Sequence, residues 1–212
     1  MITSNKDLMK QARESLSGRW GLAVGTYFVF ILITAVISSL PPYHHTVLSG
    51  GGNIDFSVGN LLLLLVMGAF ELGIATFALA IARKEEAKLG MIFSGFKYYG
   101  KTLGLYLLMS LFIVLWMLLL IVPGIIASIS YSLAFYLMSD NPDIGIMEAI
   151  NKSKKMMFGY KWKCFRLILR FIGWILLGIL SLGIGFLWII PYMSISFAKF
   201  YEDVKANFVE GQ

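Results

Sequence analysis

The sequence predicts an all-α polytopic membrane protein, and three observations carry that prediction. Hydrophobic residues make up 58% of the 212 residues, with a mean hydropathy of +0.77. Charged residues make up 14%, against about 25% in an ordinary soluble domain, too few for a polar skin. The 18 Lys and Arg residues fall in short segments that alternate with long apolar stretches. A soluble globule and a disordered chain are excluded.

A crossing helix needs about 20 apolar residues, rising 1.5 Å each across roughly 30 Å. No Asp, Glu, Lys or Arg occurs between Trp20 and Ile54, which places the first span at Leu22–Leu40, ended by Pro41-Pro42. The second is Val58–Ala82, with Glu71 as its single charge. Thr102–Ser139 is free of charge and long enough for two spans, 102–122 and 124–139, divided at Pro123-Gly124. Cys164–Tyr201 divides near Leu182-Gly183 into 165–182 and 183–201. Its Arg166, Arg170 and Lys199 lie near the ends, where long side chains snorkel to headgroups. The expectation is six transmembrane helices in three hairpins, forming one membrane domain over 1–212. Stretches such as Leu61–Val66 and Trp116–Val122 are apolar on every face, which suits helices in lipid and not the alternation of barrel strands.

Charge sets the orientation. Four basic residues precede the first span, five fall in Arg83–Lys101, seven in Lys152–Arg170, and Lys199 and Lys205 close the chain. Six spans put all of them on one side. Positive residues stay cytoplasmic, so both termini are expected inside, in the cell membrane. This placement makes a membrane surface, and not nucleic acid, the partner of the net charge of +6. The N-terminal apolar stretch exceeds a signal peptide's h-region and no A-x-A site follows, so it reads as a retained span.

An interfacial amphipathic helix is expected before each hairpin. Ser4 and Asp7 suit a capping box for a helix to about Ser17, with Leu8, Ala12 and Leu16 as one apolar stripe. The segment Glu86–Tyr99 is less regular. In the third, Asn141 caps, Pro142 occupies the first turn and Asp143 faces the dipole. Ile146, Met147, Ile150 and Met157 form its apolar face. Each unit then shows a related motif: Leu16-Ser17-Gly18-Arg19-Trp20, Phe93-Ser94-Gly95-Phe96-Lys97 and Met157-Phe158-Gly159-Tyr160-Lys161. A threefold parallel repeat over 4–82, 86–139 and 142–201 accounts for this. So does the general liking of interfacial turns for Gly, aromatics and Lys.

Candidate chemistry is sparse. A charge in mid-span such as Glu71 costs at least about 2.5 kcal/mol and needs a partner, water or a proton. Glu71 lies about 18 Å from Arg83 along a straight helix, and Arg170 is about 9 Å deep measured from Cys164, so a Glu71–Arg170 pair is one structural reading. A proton or cation site is the functional one. Lys152, Lys154, Lys155, Lys161, Lys163 and Arg166 are candidate lipid-headgroup contacts, at about 1 kcal/mol per basic residue near an anionic surface. Adjacent His44 and His45, near Asp55, make a poor metal pair, and Gly50–Gly52 reads as a loop, with no phosphate-binding Lys-Ser after it. Cys164 is alone, which excludes an intramolecular disulfide or a cysteine-based zinc site. Gly21 and Gly25, and Gly100 and Gly104, have GxxxG spacing for close helix contact, within the monomer or at a dimer seam. Trp20, Trp116, Trp162, Trp174 and Trp188 suit interfacial or packing roles. No catalytic motif occurs, and neither an enzyme nor a cofactor is expected.

Several residues then carry a family resemblance: Gly95-Phe96-Lys97, Pro123-Gly124-Ile125, Tyr131, Gly159, Lys161-Trp162, Phe171-Ile172-Gly173-Trp174, Leu182-Gly183-Ile184-Gly185, Leu187-Trp188, Pro191-Tyr192 and Phe200-Tyr201. The chain resembles the bacterial membrane family called domain of unknown function nine hundred and seventy-five, over nearly its whole length. Arg170 departs from that pattern, where a small polar residue usually precedes Phe-Ile-Gly-Trp. More distantly it resembles the membrane domain of some glycerophosphodiester phosphodiesterases, whose catalytic part is a separate soluble domain. The resemblance implies a multi-span bacterial protein and supplies no activity. Three functions are therefore weighed. The first is binding, export or tolerance of a lipid or membrane-active amphiphile. The second is a scaffold acting through partner helices or a homo-oligomer, and the third is a proton- or cation-coupled transporter using Glu71.

Overall fold

In the computed structural model, which describes residues 3–40, 42–46 and 53–208, helices dominate and one short antiparallel ribbon interrupts them. In order these are α1 (Asn5–Leu16), α2 (Trp20–Ser38), β1 (Pro42–Thr46), β2 (Asn53–Ser57) and α3 (Val58–Arg83). A 3-10 helix (Leu89–Tyr98) leads into α4 (Tyr99–Leu119), followed by α5 (Ile121–Tyr131), α6 (Ala134–Asp140), α7 (Ile146–Met156), α8 (Lys161–Leu180) and α9 (Phe186–Ala206).

Helix α1 begins as its sequence dictates. The Ser4 hydroxyl accepts the Asp7 amide, and Asp7 sits favourably in the first turn. Its stripe of Leu8, Ala12 and Leu16 is fully buried, but against α3 and α9, so the protein itself covers the face expected to meet lipid. Each buried leucine is worth about 1.5–3 kcal/mol. Arg19, just past α1, donates to the Lys84 and Glu85 carbonyls at 3.1 and 2.7 Å, tying the start of α2 to the end of α3.

Helix α3 is the hub: its residues enter both hydrophobic clusters of the core. Small residues make this possible. A Cβ on Gly73 would lie 2.0 Å from the Ile92 carbonyl oxygen, one on Gly95 2.0 Å from the Ala69 oxygen, and one on Gly68 2.4 Å from the Thr102 oxygen. The 3-10 helix therefore lies flush against the middle of α3. This corrects the expectation of an interfacial amphipathic helix at 86–99. The GxxxG pairs behave differently. A Cβ on Gly21, Gly25 or Gly100 meets nothing within 4 Å, and one on Gly104 meets the Ile146 side chain. Close contact within the chain is made by glycines of α3 and the 3-10 helix instead.

The expected outer loop contains the β1–β2 ribbon, with His44 opposite Asp55 in its register. Pro41 and glycines 50–52 lie outside the described residues, as do the side chains of His44, His45 and Asp55. Pro123 occupies the first turn of α5, where no amide is needed, and the chain breaks earlier, at the extended Leu120. The stretch 124–139 is itself interrupted between α5 and α6. There the buried Ser153 hydroxyl of α7 accepts the Leu133 amide at 3.2 Å and donates to the Ser130 carbonyl at 2.8 Å. Helix α7 starts at Gly145, because Asn141 instead accepts the Asp143 amide in a turn. Of its expected apolar face, Ile150 and Met157 are buried and Met147 is exposed.

The three glycine motifs divide two to one. Gly18 and Gly159 have φ of +74° and +80°, and each ends an amphipathic helix before a long apolar one. Their hydrogen bonds match: Ser17 to Glu14 and Arg19 to Leu16, as Phe158 to Lys155 and Tyr160 to Met157. Gly95 serves close packing instead. Four helical stretches are long and apolar enough to cross a membrane: Trp20–Ser38, Val58–Arg83, Leu89–Leu119 and Ile121–Asp140. The two helices of the last expected hairpin have 20 and 21 residues and are more charged. Helix α8 carries Lys161, Lys163, Arg166 and Arg170, and α9 carries Lys199, Glu202, Asp203 and Lys205.

Candidate functional site

A cleft lies between α1, the start of α2 and the parts of α8 and α9 nearer their connecting turn. Arg13 from α1, Trp20 from α2, Trp174 from α8, and Trp188, Ile189 and Tyr192 from α9 line a cavity of about 160 Å³. Arg13 lies beyond the buried stripe of its helix, so its side chain is free to project into the gap. The aromatic wall is fixed from behind. Tyr192 donates its hydroxyl to the Met9 carbonyl at 3.3 Å and packs edge-on to Trp174 and Phe171 at 5.9 and 5.4 Å. A second cavity of about 530 Å³, lined by Lys10, Arg13, Glu14, Ser17 and Trp20, shares Arg13 and Trp20 with the first. The combined cleft is charged at one end and aromatic at the other. The aromatic part falls below the roughly 300–1,000 Å³ of a drug-sized pocket, so it has room for a chain or ring and not for a whole polar metabolite.

The other residues singled out above are dispersed. Glu71 is partly buried in mid-α3, within electrostatic reach of Tyr27, Tyr106 and Tyr136. It forms no ion pair with Arg170, which is exposed on α8. The Tyr27 hydroxyl nearby is buried without a hydrogen-bond partner among the described residues. Lys154, Lys155 and Arg166 are exposed and Lys161 is half-buried, positions compatible with headgroup contact. Lys154 and Lys155 line a groove of about 650 Å³ with Phe158, Tyr160 and Phe208. Lys152 is half-buried.

Lys163 does not fit that role. It pairs with Asp203 at 2.5 Å, with side-chain exposures of 11% and 8%. Asp203 also accepts the Thr3 hydroxyl and amide at 2.6 and 3.1 Å. Burial alone would raise the Asp203 carboxyl, but the hydrogen bonds from Lys163 and Thr3, with the Lys163 charge, outweigh it and hold the group below the ordinary carboxylate range.

A polar clamp at the same end of the bundle escaped the sequence reading. Arg83 at the end of α3 reaches Asp140 at the end of α6 (2.7 Å) and Glu202 near the end of α9 (2.6 Å). Asp140 also accepts from Lys205 and the Tyr201 hydroxyl at 2.5 and 2.7 Å. The available signal was that each charge sits at the terminus of an apolar helix. For the cleft it was the recurrence of Trp and Tyr among the residues of α8 and α9. Among the described residues no group of three or more His, Cys, Asp or Glu side chains is placed to hold a metal. Cys164 is buried.

Four membrane-length apolar helical stretches, with α3 among them as the hub, define a helical membrane protein with an amphipathic cleft. Residues 1–126 and 117–208 match the family described as Protein of unknown function (DUF975), and the chain belongs to that family. No curated protein and no solved structure matches it. The family match does not extend to the membrane domain of glycerophosphodiester phosphodiesterases.

Proposed function

We propose that this protein binds an anionic amphiphile in the cleft between α1, α2, α8 and α9, as a non-enzymatic protein of the bacterial cytoplasmic membrane. One observation carries this reading. Two adjoining cavities share Arg13 and Trp20, with Lys10 and Arg13 at the polar end and Trp174, Trp188 and Tyr192 at the apolar end. The two cations outnumber Glu14, so an anionic headgroup is favoured over a cationic one. The half-exposed Trp174 and Trp188 let a tail enter sideways. In this reading α8 and α9 enter the bilayer as a third hairpin beside α2–α3 and α4–α6. The basic residues and both termini face the cytoplasm, and Lys154, Lys155, Lys161 and Arg166 meet anionic headgroups.

The test is equilibrium binding of a spin-labelled anionic lipid or fatty acid to protein in zwitterionic nanodiscs, read by tryptophan quenching. Arg13→Ala removes a charge-assisted contact worth about 1.5–3 kcal/mol and weakens binding roughly 10–100-fold. Trp174→Ala weakens it without altering the salt dependence. Wild-type affinity in both variants refutes the site.

A second reading has its own observation. Glu71 lies within electrostatic reach of the buried Tyr27 hydroxyl, which favours a proton or cation site inside the bundle. Under it, Glu71→Gln abolishes a pH-dependent flux in proteoliposomes and leaves amphiphile binding unchanged.

A further inference from the structure

The α8–α9 turn, like the α4–α5 junction at Leu118–Val122, shows apolar side chains to its surroundings. Leu180, Leu182 and Ile184 are 81%, 93% and 63% exposed, and the turn Ser181–Gly185 carries no charge. A turn in water is free to leave amides to water, and this one leaves none. Every amide from Ser181 to Ile189 donates within the turn. Ser181 bonds Leu177, Leu182 bonds Ile179, Gly183 bonds Gly178 and Ile184 bonds Ser181. Phe186, Leu187, Trp188 and Ile189 bond the carbonyls of Gly183, Ile184 and Gly185. The Gly185 amide uses the Ser181 hydroxyl at 2.8 Å, and that hydroxyl donates to the Gly178 carbonyl at 2.8 Å. The left-handed pair Leu182 and Gly183, at φ of 55° and 91°, closes the loop tightly enough for this. Internal satisfaction of backbone donors is the requirement that hydrocarbon imposes and water does not.

Length agrees. Lys163, held by Asp203, and Glu202, held by Arg83, mark the headgroup level of this hairpin. From Lys163 to Leu180 a helix rises about 26 Å, whereas one interface plus the hydrocarbon core is roughly 36 Å. Arg170 shortens the charge-free part, Phe171–Leu180, to about 15 Å. Helix α3, of 26 residues, rises about 39 Å and continues beyond Ser57 into a strand containing Asn53 and Asp55. The exposed apolar surface of the tip is continuous with Leu176, Leu177 and Ile179 on the flank of α8.

We propose that the third hairpin does not emerge from the membrane. It enters from the basic side, turns at Ser181–Gly185 among the acyl chains of the far leaflet, and returns. The occupant of the exposed tip is lipid hydrocarbon. The amphiphile cleft lies along the side of this hairpin that faces α1, with Trp188 three residues past the turn, and its binding test reads Arg13 and Trp174 and not the tip.

The experiment places single cysteines at the tip, Leu180→Cys and separately Ile184→Cys, in the otherwise intact chain. The wild type controls for buried Cys164, and Lys155→Cys controls for a site in water. In intact sealed vesicles of either orientation, a membrane-impermeant maleimide should leave both tip sites unmodified, with complete modification after detergent is added. It should react with Lys155→Cys from one side. A bimane at the tip should be quenched more by a phospholipid spin-labelled near the chain terminus than by one labelled at the headgroup. Modification of the tip from the far side of intact vesicles, or stronger headgroup quenching, overturns the proposal in favour of an emerging turn. Absence of quenching by either lipid, with disulfide cross-linking between copies of the Leu180→Cys protein, overturns it in favour of a second chain covering the tip.

Discussion

Replacing Asp203 by Ala leaves the Lys163 ammonium buried without a carboxylate. The pair is 2.5 Å apart with side chains 11% and 8% exposed, so solvent cannot substitute for the lost partner. Breaking a buried pair from one side costs about 3–5 kcal/mol, because the desolvated charge remains. Removing both sides costs less, since nothing charged is stranded. Asp203→Leu combined with Lys163→Met should therefore be more stable than either single variant, giving a favourable coupling of at least about 1 kcal/mol. The assay is equilibrium unfolding in mixed micelles, read by tryptophan fluorescence. Acid supplies a second readout. A carboxyl held below its ordinary value contributes stability fully above about pH 3.9 and loses it as pH falls through the lower, folded value. The wild type should lose stability in that acid window, and the double variant should lack this component. Single variants within about 1 kcal/mol of wild type, or additive losses in the double variant, refute the reasoning.

Further predictions rest on other contacts. Gly73→Ala and Gly95→Ala force a methyl against backbone at 2.0 Å and should each destabilise by about 3 kcal/mol or more, or prevent accumulation of folded protein. Gly21→Ala faces open space and should be neutral or gain up to about 1 kcal/mol by the same unfolding assay. Ser153→Ala strands the buried Leu133 amide and should cost about 1–3 kcal/mol, with Ser153→Thr recovering part of it. Asp140→Asn removes the negative charge shared by Arg83, Lys205 and Tyr201 and replaces one accepting oxygen with an amide donor, and should increase hydrogen exchange at the joined ends of α3, α6 and α9.

Local rules settled much of this molecule. Charge-free length located α2, α3 and α4 within a few residues, because spanning hydrocarbon depends on composition alone. The Ser4 cap and the stripe of α1 were legible because a cap and its amide are three residues apart. The left-handed turns at Gly18 and Gly159 were legible as a shared motif for the same reason. Long-range neighbours decided the rest. Whether the apolar face of α1 meets lipid or α9 is not written in α1. Gly95 looked like its two counterparts until Ala69 was brought against it. Lys163 was one of six candidate basic residues until Asp203, 40 positions away, enclosed it. The cleft required Arg13 and Trp188, from opposite ends of the chain, to share one wall. Hydrophobicity and capping act over a few residues, so the sequence determines them directly. Burial, pairing and cavities depend on which distant surfaces meet, and only the packed bundle decides that.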